Sequence, residues 1–277
     1  MNLNSRIVIG GIILFAFIFM GMALPWFAPN DPMLWQTVPR NRTPSLEHLL
    51  GTTSQGQDIF WLLTWAIRNS LWLGIVVATF ATAIGVMLGL FSGYVGGITD
   101  RIVSFVIDAT IVIPVLPVLI LIAAIMLGQT TLWMLAIVLV VFNWPFPARQ
   151  VRAVALSLRE HGFVQTAWMS GESRVQIVIW QFLPHLRAWT AANFVNTVLV
   201  ATVLETSVAV IGLSKNDTAT LGTMLYWALE YQAILAERWW WIGAPVIAII
   251  LLFIGLFLLS SGIEERSALI RGKVVPK

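Results

Sequence analysis

Residues 164–186 read VQTAWMSGESRVQIVIWQFLPHL and lie between two long apolar runs. Formal charge falls only on Glu172 and Arg174, besides a titratable His185. Local rules predict a short helix over 159–170. Gly171 suits the left-handed position that ends a helix, and Ser173 can cap a second one running to about residue 182. Pro184 is expected to end that second helix. Two short helices set at an angle make a rigid projection. Its helix ends and apolar side chains such as Val164, Trp168 and Met169 suit docking into a groove on another protein. The alternative is an amphipathic segment lying on lipid headgroups.

The rest of the chain explains why such a knuckle would be needed. Of the 277 residues, 58% are hydrophobic and only 10% charged, against about 25% charged in a soluble domain. Mean hydropathy is +0.87. The composition is that of an integral membrane protein. A net charge of +3 reflects a few extra arginines rather than a basic face for nucleic acid. The absence of cysteine excludes disulfides, thiolate chemistry and cysteine-ligated metals.

A hydrocarbon core about 30 Å thick takes about 20 apolar residues as helix, since nothing there satisfies exposed backbone groups. Six runs qualify: 7–27, 69–93, 103–127, 131–147, 189–212 and 240–261. The third is expected to bend at Pro114 and Pro117, and the fourth to close at Pro145 and Pro147. The first continues without interruption from Ile7 to Leu24 and is followed by no small-residue cleavage site. It therefore reads as a retained helix rather than a signal peptide.

Arginine and lysine set the orientation. With both termini inside, the inner segments hold eleven: Arg6, Arg101, Arg149, Arg152, Arg159, Arg174, Arg187, Arg266, Arg271, Lys273 and Lys277. The outer segments hold five: Arg40, Arg42, Arg68, Lys215 and Arg238. The expectation is two cytoplasmic termini and a cytoplasmic knuckle. In the second span Gly74, Ala78, Ala81, Gly85, Gly89 and Gly93 recur at steps of three or four, which lets another helix approach closely. That helix belongs either to this bundle or to a second membrane subunit.

Ordered motifs then give a resemblance. Gln165, Thr166 and Ala167, followed by Gly171 and by Gln181, Phe182, Leu183 and Pro184, resemble the coupling loop of permease subunits in binding-protein-dependent ABC importers. LGTTSQGQDIF at 50–60, AIRNSLWLG at 66–74, GYVGGITDRIVSFVIDATIVIP at 93–114 and ARQVRAVALSLREHGFVQTAWMSG at 148–171 resemble its dipeptide, oligopeptide and nickel branch, second permease type. The resemblance implies an all-α polytopic fold of the type I importer permease kind. It would comprise a first helix and extracytoplasmic segment over 1–68, a permease domain over 69–265 and a cytoplasmic tail over 266–277. Val164, Gln165, Thr166, Ala167, Trp168, Gly171, Leu183 and Pro184 would form the ATPase-coupling loop. The implied partners are a second homologous permease, two ATPase subunits or domains, an extracytoplasmic solute-binding protein and the lipid bilayer. ATP and Mg2+ would sit in the ATPases and no cofactor in this chain.

Some positions depart from the family pattern. Gln165 and Thr166 replace Glu and Ala, Thr53 and Gln57 replace Asp and Arg, and the chain ends its last motif as SGIEERSAL at 261–269. These departures weaken the transfer of cargo from the peptide transporters. Oligopeptide remains the expected cargo, with oligosaccharide as the alternative and a nickel chelate left open.

Other function classes fit less well. No Gly-x-x-x-x-Gly-Lys-Ser/Thr loop surrounds any of the lysines, so ATP hydrolysis must reside in another polypeptide. An intramembrane hydrolase would need a nucleophile and base at membrane depth, yet His48 falls outside and His161 and His185 fall in the knuckle. An ion-coupled transporter would want several intramembrane carboxylates and repeated halves; Asp108 and Glu205 are the main candidates, and no clear repeat is visible. For Asp108 the alternatives are a place on the pathway or at a subunit contact, and snorkelling or pairing with a cytoplasmic arginine. Glu205 is expected to line the pathway or to hold two permeases together. Between 213 and 240 the chain is too short for another crossing and reads as a re-entrant or surface helix. Trp239, Trp240 and Trp241 are expected to anchor at the membrane interface, with sugar stacking as the alternative.

Overall fold

The structure is a computed structural model that describes residues 3–126, 130–214 and 218–274, with side chains from 5 to 266 within those ranges. Expectations resting on Leu127, Lys215 and the tail residues 275–277, including Lys277, lie outside the described residues, as do the side chains of Arg271 and Lys273. Helix α1 covers Leu3–Met22 and a short 3-10 turn follows at Leu24–Phe27. Then come α2 (Ile59–Val95), α3 (Gly97–Ile111), α4 (Val115–Ile125), α5 (Leu132–Asn143), α6 (Pro145–Leu158), α7 (Gly162–Met169), α8 (Arg174–Gln176), α9 (Leu183–Val210), α10 (Leu221–Glu230) and α11 (Trp239–Val274). Among the described residues there is no β-strand beyond a single bridge between Thr52 and Asp58.

Five helical segments are long and apolar enough to cross a bilayer, and the bent pair α3–α4 makes six. The expected number of spans holds, but several boundaries move. Helix α2 starts at residue 59 rather than 69 because Asp58 caps it: its carboxylate accepts from the Phe60 N–H at 2.9 Å and the Trp61 N–H at 3.3 Å. The helix runs unbroken through residues 68 and 69 for 37 residues, a length of about 55 Å.

The third span does bend, by 73° between Val112 and Val115. Pro114 is the N-cap residue of α4. Pro117 falls in the first turn of α4, where a missing N–H leaves no intrahelical bond unmade, so it adds no second break. The fourth span, expected to close at Pro145 and Pro147, instead continues from residue 132 to 158. Pro145 takes the first position of α6, and hydrogen bonds from Trp144 N–H to Val140 O at 3.3 Å and from Ala148 N–H to Trp144 O at 3.2 Å bridge the junction.

The small-residue stripe of α2 is used within the chain. A Cβ on Gly85 would stand 2.6 Å from Trp144 O, one on Gly89 2.5 Å from Ala148 O, and one on Gly93 2.8 Å from Ala155 Cβ, all on or beside α6. Gly74 meets Val198 and Thr202 of α9 in the same way. Such contact against backbone leaves no slack. Gly89→Val is expected to destabilise the fold by about 1–3 kcal/mol or more, read as a lowered unfolding midpoint of the purified protein. A wild-type midpoint would mean that α2 and α6 can part.

Three clusters of buried side chains hold the bundle. The first joins α1, α2, α10 and α11 around Ile67, Leu221, Trp241 and Leu252. The second packs α2 and α6 onto the 164–186 knuckle, and the third packs α2 against α4, α5 and α9. Helices α1 and α11 run antiparallel, with Arg6 and Glu265 paired at 2.9 Å, so both ends of the described chain lie on one side.

The segment between α1 and α2 folds into a cap at the other end. Gln57, standing where the family pattern has Arg, donates through Nε2 to Pro32 O at 2.8 Å and Met33 O at 3.1 Å. His48 Nδ1 lies 2.8 Å from the second oxygen of Asp58. The tryptophan triplet divides: Trp239 is exposed, Trp240 half-buried and Trp241 fully buried. Only Trp239 is therefore placed to meet an interface, because α11 turns Trp241 into the core.

Candidate functional site

The knuckle is an elbow between α6 and α9. Residues 159–161 form the turn that leaves α6, so α7 begins at Gly162 and not at 159 as the sequence suggests. At its C-terminus Gly171 has φ +83°. The Gly171 N–H bonds Trp168 O at 3.0 Å and the Glu172 N–H bonds Ala167 O at 3.2 Å, the reach-back that closes a helix through a left-handed residue. The next helix opens on a reciprocal cap. Ser173 Oγ accepts from the Gln176 N–H, and Gln176 Oε1 accepts from the Ser173 N–H at 2.7 Å.

Pro184 does not end that helix. Residues 177–182 form a wider π turn, with the Leu183 N–H reaching Val178 O, and the chain runs on into α9 as one segment from 174 to 210. A locally wider turn already breaks the i→i−4 ladder, so a proline ring next to it obstructs nothing further.

Burial separates the elbow's residues by role. Val164 and Ala167 face inward with Ile177, Val178 and Phe182, and the Tyr94 ring of α2 meets Phe182 edge-on at 5.3 Å. Val164, expected to offer contact, is therefore packing, because it lies on the α7 face that closes the core. Trp168 is 68% and Met169 78% exposed, and Gln165 and Thr166 are exposed beside them. Leu183 and Pro184 are half-buried at the base. Glu172 accepts from Gln181 Nε2 at 3.2 Å across the turn, and Phe163 stacks on His185 at 5.3 Å. The apolar ridge is thus presented on a braced frame.

Behind the elbow, α6 is tied to α3. The Arg152 guanidinium holds both oxygens of Asp100, at 2.5 and 2.7 Å. Asp108, one of the two candidate intramembrane acids, lies 3.8 Å from Arg149, with both side chains 63% exposed. Pairing with an arginine, one of its two expected fates, is what the structure contains.

Glu205 is placed elsewhere. It is 0% exposed, so in this conformation it neither lines an open passage nor reaches the surface where a second subunit could touch it. Its Oε1 accepts the Thr220 hydroxyl at 2.7 Å, and Thr220 caps α10. In this conformation Glu205 braces the fold internally, since α10 folds back over α9 and covers the carboxyl. Gly222 sits so close that a Cβ there would be 2.8 Å from Thr206 Cα.

The elbow and the helices that carry it, from Gly85 to residue 267, match the family described as the binding-protein-dependent transport system inner membrane component. The chain belongs to that family. The permease is 30% identical over 263 residues to the probable D,D-dipeptide transport system permease protein DdpC of Escherichia coli (strain K12), covering 93% of this chain and 85% of that protein. It is 27% identical over 264 residues to the dipeptide transport system permease protein DppC of Bacillus subtilis (strain 168), covering 95% and 81%. With the oligopeptide transport system permease protein OppC of Mycobacterium tuberculosis (strain ATCC 25618 / H37Rv) it shares 28% over 183 residues, which are 66% of this chain and 63% of that one. It is thus a multi-pass membrane permease of the importer kind.

One face of the permease escaped the sequence reading. Beside its glycine stripe, α2 leaves Trp65, Arg68, Trp72, Thr79 and Ala83 along a surface that α6 and α9 do not fully close. The signal was their spacing of three, four and seven residues, hidden because Arg68 was taken to lie outside the span.

Proposed function

We propose that this permease imports oligopeptides: an extracytoplasmic binding protein delivers the cargo, a second homologous permease completes the passage, and one of two ATPase subunits docks on the elbow. The observation that carries the docking is the exposed Trp168–Met169 ridge on an internally braced turn. Burying such side chains in a partner's groove is favourable by about 25 cal/mol per Å2 of apolar surface. The relatives' roles in dipeptide and oligopeptide transport support peptide cargo over oligosaccharide. ATP and Mg2+ belong to the ATPases, and this chain takes no cofactor. The excess of arginine on the elbow's side supports cytoplasmic termini.

In this reading, closure of the ATPases on ATP moves the elbow as a unit. The Ser173 cap and the Glu172–Gln181 bond pass that displacement to α9, and the Arg152–Asp100 pair passes it to the bent span through α6. The test is reconstitution of the permease with its partners in vesicles. ATP- and binding-protein-dependent uptake of a labelled tripeptide is expected, and Trp168→Glu should lower both uptake and ATPase retention about tenfold. Full retention of the ATPases by Trp168→Glu would remove the docking assignment, and uptake of a labelled trisaccharide in place of peptide would remove the cargo assignment.

A further inference from the structure

Helix α2 has one face filled by glycine contacts to α6 and α9 and a neighbouring face left partly open. At 100° per residue, Trp65, Arg68, Trp72, Thr79 and Ala83 fall within about 60° of one another. Two grooves run along this stripe. The outer one, about 550 Å3, lies between Trp65, Arg68 and Trp72 and the start of α5 at Trp133. The inner one, also about 550 Å3, lies between Thr79, Ala83 and Met87 and the α9 residues Arg187, Thr190 and Phe194. Arg68 and Arg187 are the only charged residues lining either groove, and neither has a carboxylate within 4.0 Å among the described residues.

A helix face meant for lipid would not carry a cation such as Arg68 well inside α2, because an ionised side chain at membrane depth is tolerated only beside protein or water. The exposed face of α11 makes the contrast: Ile247, Ile250, Leu251, Ile254 and Phe257 stand out of it, without charge. Beside the inner groove, Thr190 Oγ1 is buried and has no hydrogen-bond partner. Arg68 lies with its guanidinium 5.9 Å from the Trp65 ring centre, while Trp72 and Trp133 meet edge to face at 4.4 Å. The outer groove therefore offers one positive fork between indole walls. That combination suits a carboxylate carried by a partly apolar molecule.

We propose that the open face of α2 is this chain's half of the translocation passage and that Arg68 receives the terminal carboxylate of an incoming peptide. The inference rests on the peptide-importer reading. The guanidinium draws the free terminus into the outer groove and the indoles pack against the neighbouring side chains. The inner groove is walled mainly by apolar surface and offers weaker contacts, so the cargo is not held on its way.

Two measurements test this on the assembled transporter. The first compares uptake of a tripeptide and its C-terminal amide by wild type and by Arg68→Gln. Taking the ratio of ratios cancels the binding protein's own preference. Arg68→Gln should lower free-acid uptake about tenfold more than amide uptake, as loss of one charged fork would, and Arg68→Lys should recover part of it. An equal fall for both peptides, as for an arginine that holds a lipid phosphate or the fold, overturns the carboxylate assignment while leaving peptide import standing. Failure of wild type to carry either peptide overturns the cargo reading and this inference with it. The second uses the cysteine-free background: Ala83→Cys should react with a small charged thiol reagent and Ile250→Cys should not. An unreactive Ala83→Cys overturns the passage assignment.

Discussion

Replacing Gly171 by valine should leave the transporter assembled and nearly abolish uptake. At φ +83° an L-residue brings its Cβ against the following carbonyl, at a cost of about 1–2 kcal/mol that β-branching increases. Space is not the issue, because a Cβ on Gly171 meets nothing within 4 Å. The strain is purely in the backbone, and it is relieved by letting the turn leave the left-handed region. That movement breaks the bonds from the Gly171 and Glu172 N–H groups to Trp168 O and Ala167 O and swings the Ser173 cap away from α7. A strain of about 1.4 kcal/mol is enough to shift the elbow tenfold toward the displaced form, so uptake should fall about tenfold or more. The buried clusters of the bundle are not touched, so permease pairing should survive.

Asparagine gives the control for this position. It visits the left-handed region more readily than other non-glycine residues, so Gly171→Asn should retain much of the activity that Gly171→Val loses. The comparison is made by uptake in vesicles at matched protein, with ATP hydrolysis recorded alongside. Hydrolysis continuing while uptake is lost would place the defect in transmission. Wild-type uptake by Gly171→Val would mean that the turn does not need its present geometry.

Much of the elbow could be read from sequence because its signals are local. Gly171, Ser173 and Gln176 act within four residues of one another, and cap chemistry is set by residue type at fixed spacing. Span number was legible for a similar reason, since bilayer thickness imposes a length. The errors arise where a tertiary partner changes the local outcome. Pro145 and Pro184 read as stops, yet each occupies an early helical position where its missing N–H leaves little unmade. Arg68 read as the edge of a span, but a groove along α2 receives its side chain within the helix. Glu205 read as functional because an acid deep in a span is costly; its partner, Thr220, comes from a segment that no periodicity connects to α9.

Thr220→Val should destabilise the permease more than Glu205→Gln, although Thr220 is the less conspicuous residue. The Thr220 hydroxyl donates to Glu205 Oε1 at 2.7 Å and accepts from the Thr223 N–H at 3.1 Å, so it caps α10 and anchors it to α9 at once. Ser70 Oγ accepts from the Leu221 N–H at 3.1 Å, and Asn69 donates to Ala219 O at 2.7 Å, which fixes the same turn to α2. Valine keeps the shape but deletes the cap and leaves both oxygens of a fully buried carboxyl unbonded, since Oε2 already has no partner. The two losses together should amount to about 2–4 kcal/mol. Glutamine at 205 still accepts the hydroxyl bond through its carbonyl oxygen and removes any buried charge, so its effect should stay below about 1 kcal/mol. Removing both ends of the interaction, as Thr220→Val with Glu205→Leu, should recover part of the loss, because no buried carboxyl is left unpaired although the cap of α10 stays lost. Unfolding midpoints of the purified assembly, with limited proteolysis of the 231–238 loop, rank the three variants. If Glu205→Gln proves as damaging as Thr220→Val, the carboxylate charge rather than its acceptance of the hydroxyl holds α10. If it leaves stability unchanged but stops uptake, Glu205 acts in transport through a conformation in which α10 has lifted away.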